Sequence, residues 1–278
     1  MTVPLWVPAA MMIASGSIHA IVNAILKGGK DKMAGRATID ASSAILLLPA
    51  TLLVPLPHGA WGWLFATAFV HCAYLYALVR ALESSDFSSA YPILRGTAPL
   101  VTAALAVGVF GESASARELA GIALIGAAMF VMVSGKHIGR AGLGWALFTG
   151  LAIACYTVID AKGVRAAPTP ASFIVWMFVL MGMATVSMFA IASKGAIFAS
   201  ARRQWRPGVV AGALSILTYG LALSAFAMGP TAPLAALRET GMVTALVIAT
   251  VFLGERVTAG RIAGVLGILG GAALILAR

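Results

Sequence analysis

The chain has 278 residues, of which 61% are hydrophobic and only 10% charged, with a mean hydropathy of +0.98. A soluble domain carries roughly a quarter charged residues, so this composition excludes a water-soluble fold and requires lipid as the solvent. The net charge of +10 sits in short connections between apolar runs, which reads as loops facing anionic lipid rather than a nucleic-acid surface.

Apolar runs of about 20 residues, the length a helix needs to cross hydrocarbon, fall at about 3–26, 37–57, 60–82, 88–110, 116–134, 142–162, 170–193, 207–228, 231–253 and 258–277. Ten spans leave connections of a few residues, so no nucleotide-binding or soluble catalytic domain fits. The first run has no basic region before it and reads as a retained span rather than a cleaved signal. Cys72 and Cys155 both lie inside apolar runs and have no metal-ligand spacing.

Span 1 carries Ser15, His19, Asn23 and Lys27 at intervals of four, which places them on one helix face. Pro49, Pro55 and Pro57 crowd the end of span 2. Span 3 adds His71 and Tyr76. Span 4 adds Tyr91, Arg95 and Pro99, the last able to kink it. Ser115 and Glu118 have capping-box spacing before span 5. Span 6 carries Tyr156 and Asp160, span 8 Ser215 and Tyr219, and span 9 Arg238 and Glu239. Thr258 is placed to cap span 10, where Gly260, Gly264, Gly267 and Gly271 form a stripe that admits a close helix neighbour. That neighbour is span 5 of the same chain or, alternatively, a second copy.

Spans 4 and 9 repeat each other. Tyr76, Leu94, Arg95, Thr97, Gly111 and Glu112 match Tyr219, Leu237, Arg238, Thr240, Gly254 and Glu255 at a constant offset of 143. Five spans per repeat require the second copy to enter the membrane upside down. The expected architecture is an all-α integral membrane fold of ten transmembrane helices, in two inverted five-helix repeats (1–135 and 136–278) around a central cavity. Lys and Arg set the orientation. Thirteen fall in the connections after odd-numbered spans (Lys27, Lys30, Lys32, Arg36, Arg80, Lys136, Arg140, Lys194, Arg202, Arg203, Arg206, Arg256 and Arg261). Four fall on the other side (Arg117, Lys162, Arg165 and Arg278). This bias puts odd connections in the cytoplasm and both termini outside.

An arginine in a bilayer must face protein, water or a counter-charge. Arg95 and Arg238 therefore have three readings: an internal ion pair with Glu239 or Asp160, a guanidinium that binds a substrate carboxylate or phosphate, or snorkelling to the interface. Neighbours on a helix diverge by about 100°, so Glu239 is better placed for Arg95 than for Arg238. The cavity candidates are Arg95, Arg238, Glu239, His19, Asn23, His71, Tyr76, Tyr91, Tyr156 and Tyr219. Glu239 and Asp160 are the candidates for proton coupling. The two Gly-Glu pairs read as tight polar turns. HExxH, GxSxG, P-loop and GxGxxG signatures are absent, and no enzyme activity, cofactor, metal or nucleic-acid partner is expected. A small-molecule substrate and membrane lipid are.

The segments AYPILRGTAPLVTAALAVGVFGE and LAALRETGMVTALVIATVFLGE, at this distance in a ten-span chain, resemble the drug/metabolite transporter superfamily, EamA type. The resemblance implies a multi-pass exporter of small metabolites, notably amino acids including aromatic ones, in a bacterial plasma membrane. Its cavity would be lined by spans 1, 3, 4, 6, 8 and 9. Many relatives carry proline where Arg238, Glu239 and Thr240 stand. A passive facilitator of the same fold and, more remotely, an intramembrane enzyme are the alternatives. A monomer is expected, with a homodimer as the alternative. On this reading Arg95→Ala abolishes transport in a folded protein.

Overall fold

The structure, a computed structural model, describes residues 4, 6–28, 31–85, 87–133, 138–251 and 257–277, without the side chains of 27, 28, 32, 82, 87 and 88. The Lys27 and Lys32 side chains, Lys30, Lys136, Gly254, Glu255, Arg256 and Arg278 thus lie outside the described residues.

The described residues form helices α1 (Trp6–Gly28), α2 (Lys32–Leu47), α3 (Trp61–Ser84), α4 (Phe87–Ala103), α5 (Ala116–Val131), α6 (Arg140–Ala166), α7 (Pro170–Ala192), α8 (Ile197–Arg203), α9 (Trp205–Met228), α10 (Thr231–Leu237), α11 (Gly241–Val251) and α12 (Ala259–Leu276). Eight segments are long and apolar enough to cross a membrane, α10 and α11 counting together as one of them. Helices α2 and α5, at 16 residues each, are shorter than that, although both coincide with predicted spans.

Three predicted spans change shape. Span 2 begins earlier than its apolar run, because the Asp31 side chain accepts from Ala34 N–H and caps α2 (3.0 Å). It ends at Leu47, where Pro49 enters and the chain tightens into a 3₁₀ turn, Leu48–Leu52. Span 4 contains Pro92 and Pro99 and relaxes into a π-helical stretch, Ala104–Val109. Span 9 is broken into α10 and α11 by a 3₁₀ turn, Arg238–Thr240.

The break sits against α1, and two glycines permit it. A Cβ on Gly16 would strike the Arg238 carbonyl, and one on Gly241 would strike the Gly16 carbonyl. The glycine stripe of α12 packs on α5: a Cβ on Gly271 would meet the Gly121 carbonyl at 2.6 Å, and the converse contact is equally tight. The close neighbour predicted for span 10 is therefore span 5. Gly121→Leu should lower stability by about 1–3 kcal/mol through overpacking, read as a fall in melting temperature of the purified protein. An unchanged melting temperature would mean that the two helices are not held in this contact.

The main apolar core fills only one end of the bundle. It joins the start of α1 (Ala9, Met12), the start of α3 (Leu64), the ends of α6 and α9 (Val164, Leu223, Phe226), the start of α7 (Phe173) and all of α10. Ser15, Thr67, Thr149 and Thr218 mark where this packing gives way to polar side chains.

Candidate functional site

A cavity of about 660 Å³ runs from the middle of the bundle to the opposite end, where α1 ends, α2 begins, α3 ends and α12 begins. Most predicted residues line it: His19 and Asn23 from α1, His71 from α3, Tyr91 and Arg95 from α4, Tyr156 from α6, Tyr219 from α9, and Arg238 from the broken helix. They converge because each lies on its helix's inward stripe; Asn23 of α1, for example, donates to the Tyr91 hydroxyl of α4 (3.2 Å).

Three predicted residues stand elsewhere. Glu239 (4% exposed) and Asp160 (0%) are buried behind the wall rather than in it. Tyr76 is 56% exposed and packs edge-on against Trp145 (5.8 Å) on the outer face. Five residues beyond His71, it is turned about 140° away. Tyr74, three residues beyond His71, is the tyrosine that faces inward.

The floor is aromatic. His71 stacks on Tyr156 with centroids 4.0 Å apart, while Tyr74 meets Tyr156 edge-on at 5.5 Å. Tyr219 lies edge-on to both His71 (6.2 Å) and Phe178 (6.4 Å). His71 is fixed from its own helix, its Nδ1 lying 3.0 Å from both the Thr67 hydroxyl and the Thr67 carbonyl. Tyr219 donates its hydroxyl to Asp160 Oδ2, while Asp160 Oδ1 has no partner among the described residues.

Charge is distributed unevenly. Arg95 Nε lies 2.9 Å from Glu239 Oε2. This is the internal ion pair, one of the three readings open to Arg95 from the sequence, although the N–H does not point along the N–O line and makes no hydrogen bond there. Arg36, placed in a connection by the sequence reading, instead projects from α2 into the cavity wall. Both Asp40 oxygens hold it, at 2.9 and 3.0 Å. Its i, i+4 spacing from Asp40 was the available signal. Arg238 Nε donates to Ser15 Oγ (3.1 Å), and its guanidinium carbon lies 5.2 Å from the Tyr219 ring centroid.

The closed end carries a second polar cluster. Gly111, with φ of 65°, turns the chain after the π stretch, and Glu112 follows it. More than a local turn, Glu112 reaches across to the later half of the chain. It accepts from Arg165 Nη1 (2.6 Å), Thr231 N–H (2.8 Å) and the Thr231 hydroxyl (2.8 Å), with Lys162 Nζ at 3.7 Å. Arg165 also donates to the carbonyls of Phe226 and Gly229. Burial alone would raise the Glu112 carboxyl, but the bonds from Thr231 and Arg165 hold it below the ordinary carboxylate range. Glu118 stays local, completing the predicted capping box with Ser115.

Among the described residues no cluster of His, Cys, Asp and Glu could hold a metal ion. No match is found among curated proteins. A crystal structure of a protein 15% identical in sequence superposes with a TM-score of 0.74, covering 97% of this chain and 95% of its own, a likeness of fold. The profile of the EamA-like transporter family matches residues 8–134 and, again, 140–277. An all-helical bundle with eight membrane-length segments, and a family match over nearly the whole sequence, make this chain a multi-pass membrane protein of the EamA-like transporter family, within the drug/metabolite transporter superfamily.

Proposed function

We propose that the protein is a secondary transporter that exports small metabolites, amino acids and aromatic ones among them, by alternating access across a bacterial plasma membrane. The observation that carries this reading is the cavity: polar and aromatic at its floor, continuous with one end of the bundle and sealed at the other. A transporter in one of its two open states has that shape.

We take the ten predicted spans as two inverted repeats, 1–135 and 136–278, with α1 to α5 corresponding to α6, α7, α9, α10–α11 and α12. The packing supports this. The α3–α6 contact has its mate in α9–α1, α4–α6 in α11–α1, and α2–α9 in α7–α3, while α2–α7 and α5–α12 pair with themselves. The family profile also matches each half separately. The charge bias then makes the cavity mouth cytoplasmic and the termini external, the direction in which an exporter loads. With the α12 stripe occupied by α5, a monomer is the working unit.

His19, Asn23, His71, Tyr91, Tyr156, Tyr219, Arg95 and Arg238 form the substrate chamber on this reading. For coupling to protons, Asp160 is better placed than Glu239, since Glu239 is committed to Arg95. Purified protein in liposomes should accumulate phenylalanine against its gradient when a proton gradient is imposed, and Asp160→Asn should only equilibrate it. Equilibration by the native protein under every gradient would identify a passive facilitator instead.

A further inference from the structure

Four arginines line the cavity, Arg36, Arg95, Arg238 and Arg261, and the surroundings of the first three differ. Arg36 has Asp40 and Arg95 has Glu239, so each brings its own counter-charge. For Arg238 no carboxylate stands within ion-pair distance among the described residues. Its Nε is fixed by Ser15, whose hydroxyl also bonds the Thr218 carbonyl (2.6 Å), and one face is taken by Tyr219. The Gly16–Gly241 contact holds the broken helix at this distance from α1. The two Nη groups have no partner among the described residues, and they form the half of the planar fork that matches a carboxylate in two parallel hydrogen bonds.

The wall beside Arg238 is aromatic, with Tyr219 shared between the two. A substrate ammonium meets no comparable welcome. Asp40 and Glu239 are already paired, and Asp160 sits behind the wall holding the Tyr219 hydroxyl.

We propose that the cavity reads a carboxylate carried on an aromatic body, that Arg238 is the residue that binds it, and that a positive group on the substrate is not required. The inference rests on the transporter reading and narrows it to a chemical class: aromatic monocarboxylates, with aromatic amino acids accepted through their carboxylate.

The test uses three probes sharing one phenyl body, 3-phenylpropionate, phenylalanine and phenethylamine, on the full-length protein. Thermal shift in detergent and competition for uptake into liposomes are the readouts. Both carboxylates should stabilise and compete, and the amine should do neither. Arg238→Gln should weaken both carboxylates at least about tenfold, the scale of a lost charge-assisted pair, with Arg238→Lys intermediate. The paired variant Arg80→Gln/Glu83→Gln, which removes an exposed ion pair outside the cavity, should change them less than about threefold. If Arg238→Gln does not fold, the ranking of the probes on the native protein decides. Binding of phenethylamine as tight as that of 3-phenylpropionate, or unchanged carboxylate binding in Arg238→Gln, would overturn the assignment. If none of the three binds but another solute is carried, this inference falls and the transporter reading stands. If no solute is carried under any gradient, the transporter reading falls as well.

Discussion

Arg95→Met will lower the stability of the bundle by about 3–5 kcal/mol, and adding Glu239→Leu will recover most of that loss. The side chains of Arg95 and Glu239 are 9% and 6% exposed and sit 2.9 Å apart, at the cavity wall. Removing the guanidinium strands a carboxylate where nothing replaces its solvation. Removing both partners strands nothing, and apolar side chains of similar length can fill the space. The pair also joins α4 to the broken α10–α11 segment, so its loss loosens the contact between the two repeat motifs. The measurement is a double-mutant cycle on melting temperature or denaturant midpoint, with a coupling above about 1 kcal/mol expected for residues in contact. If the double variant is as unstable as the sum of the singles, the two charges do not depend on each other.

This changes what an Arg95 variant can say about transport. The sequence predicts that Arg95→Ala silences a folded carrier. The geometry makes lost activity inseparable from a damaged fold unless Glu239 is changed too. Arg238, with no carboxylate within ion-pair distance among the described residues, is where a loss of transport reports on the substrate.

The spans were legible because each is a long apolar run bounded by polar residues, and that pattern is imposed by the bilayer itself. Their internal shapes were less so. The break at Arg238–Thr240 depends on Gly16, in a helix more than 200 residues earlier, letting two backbones touch; no local propensity encodes it. Helical spacing brought His19, Asn23, His71 and Tyr156 to one chamber, since stripes of polar residues in a lipid-embedded helix must turn inward. Tyr76 went astray for the same reason in reverse. It is a polar residue of span 3, as His71 is, but the face of the helix decides exposure. Arg36 stands one residue before the apolar run of span 2 and so counts as loop charge in the sequence; Asp40 one turn later is what draws it into the wall.

On the alternating-access proposal, Glu112→Gln will open the sealed end of the bundle, shifting the equilibrium toward the opposite-facing state by about tenfold. Glu112 bonds to Arg165 and twice to Thr231, all from the later half of the chain, and hydrogen bonds to a charged group contribute about 1.5–3 kcal/mol each when sheltered. Arg165 is partly exposed, so solvent reduces that, and a net of about 1.4 kcal/mol corresponds to the tenfold change. The readout is maleimide labelling of a cysteine placed at Leu234, 1% exposed in the plug beneath the cluster, in a background lacking Cys72 and Cys155. Labelling should quicken in Glu112→Gln and in Arg165→Gln, and the double variant should add little to either. Acid should act in the same direction. With its carboxyl held below the ordinary range, Glu112 stays ionised from neutral pH through that range. The cluster's stabilising effect is full above it and is lost only as pH falls further, through the lowered folded-state value. Because maleimide adds to the thiolate, whose fraction falls with pH, labelling at Leu234 is read relative to an exposed cysteine; that relative rate should rise in acid in the native protein and stay level in Glu112→Gln. If labelling were equally slow in every variant at neutral pH, the apolar plug alone would be sealing this end, and the cluster would have no part in closure.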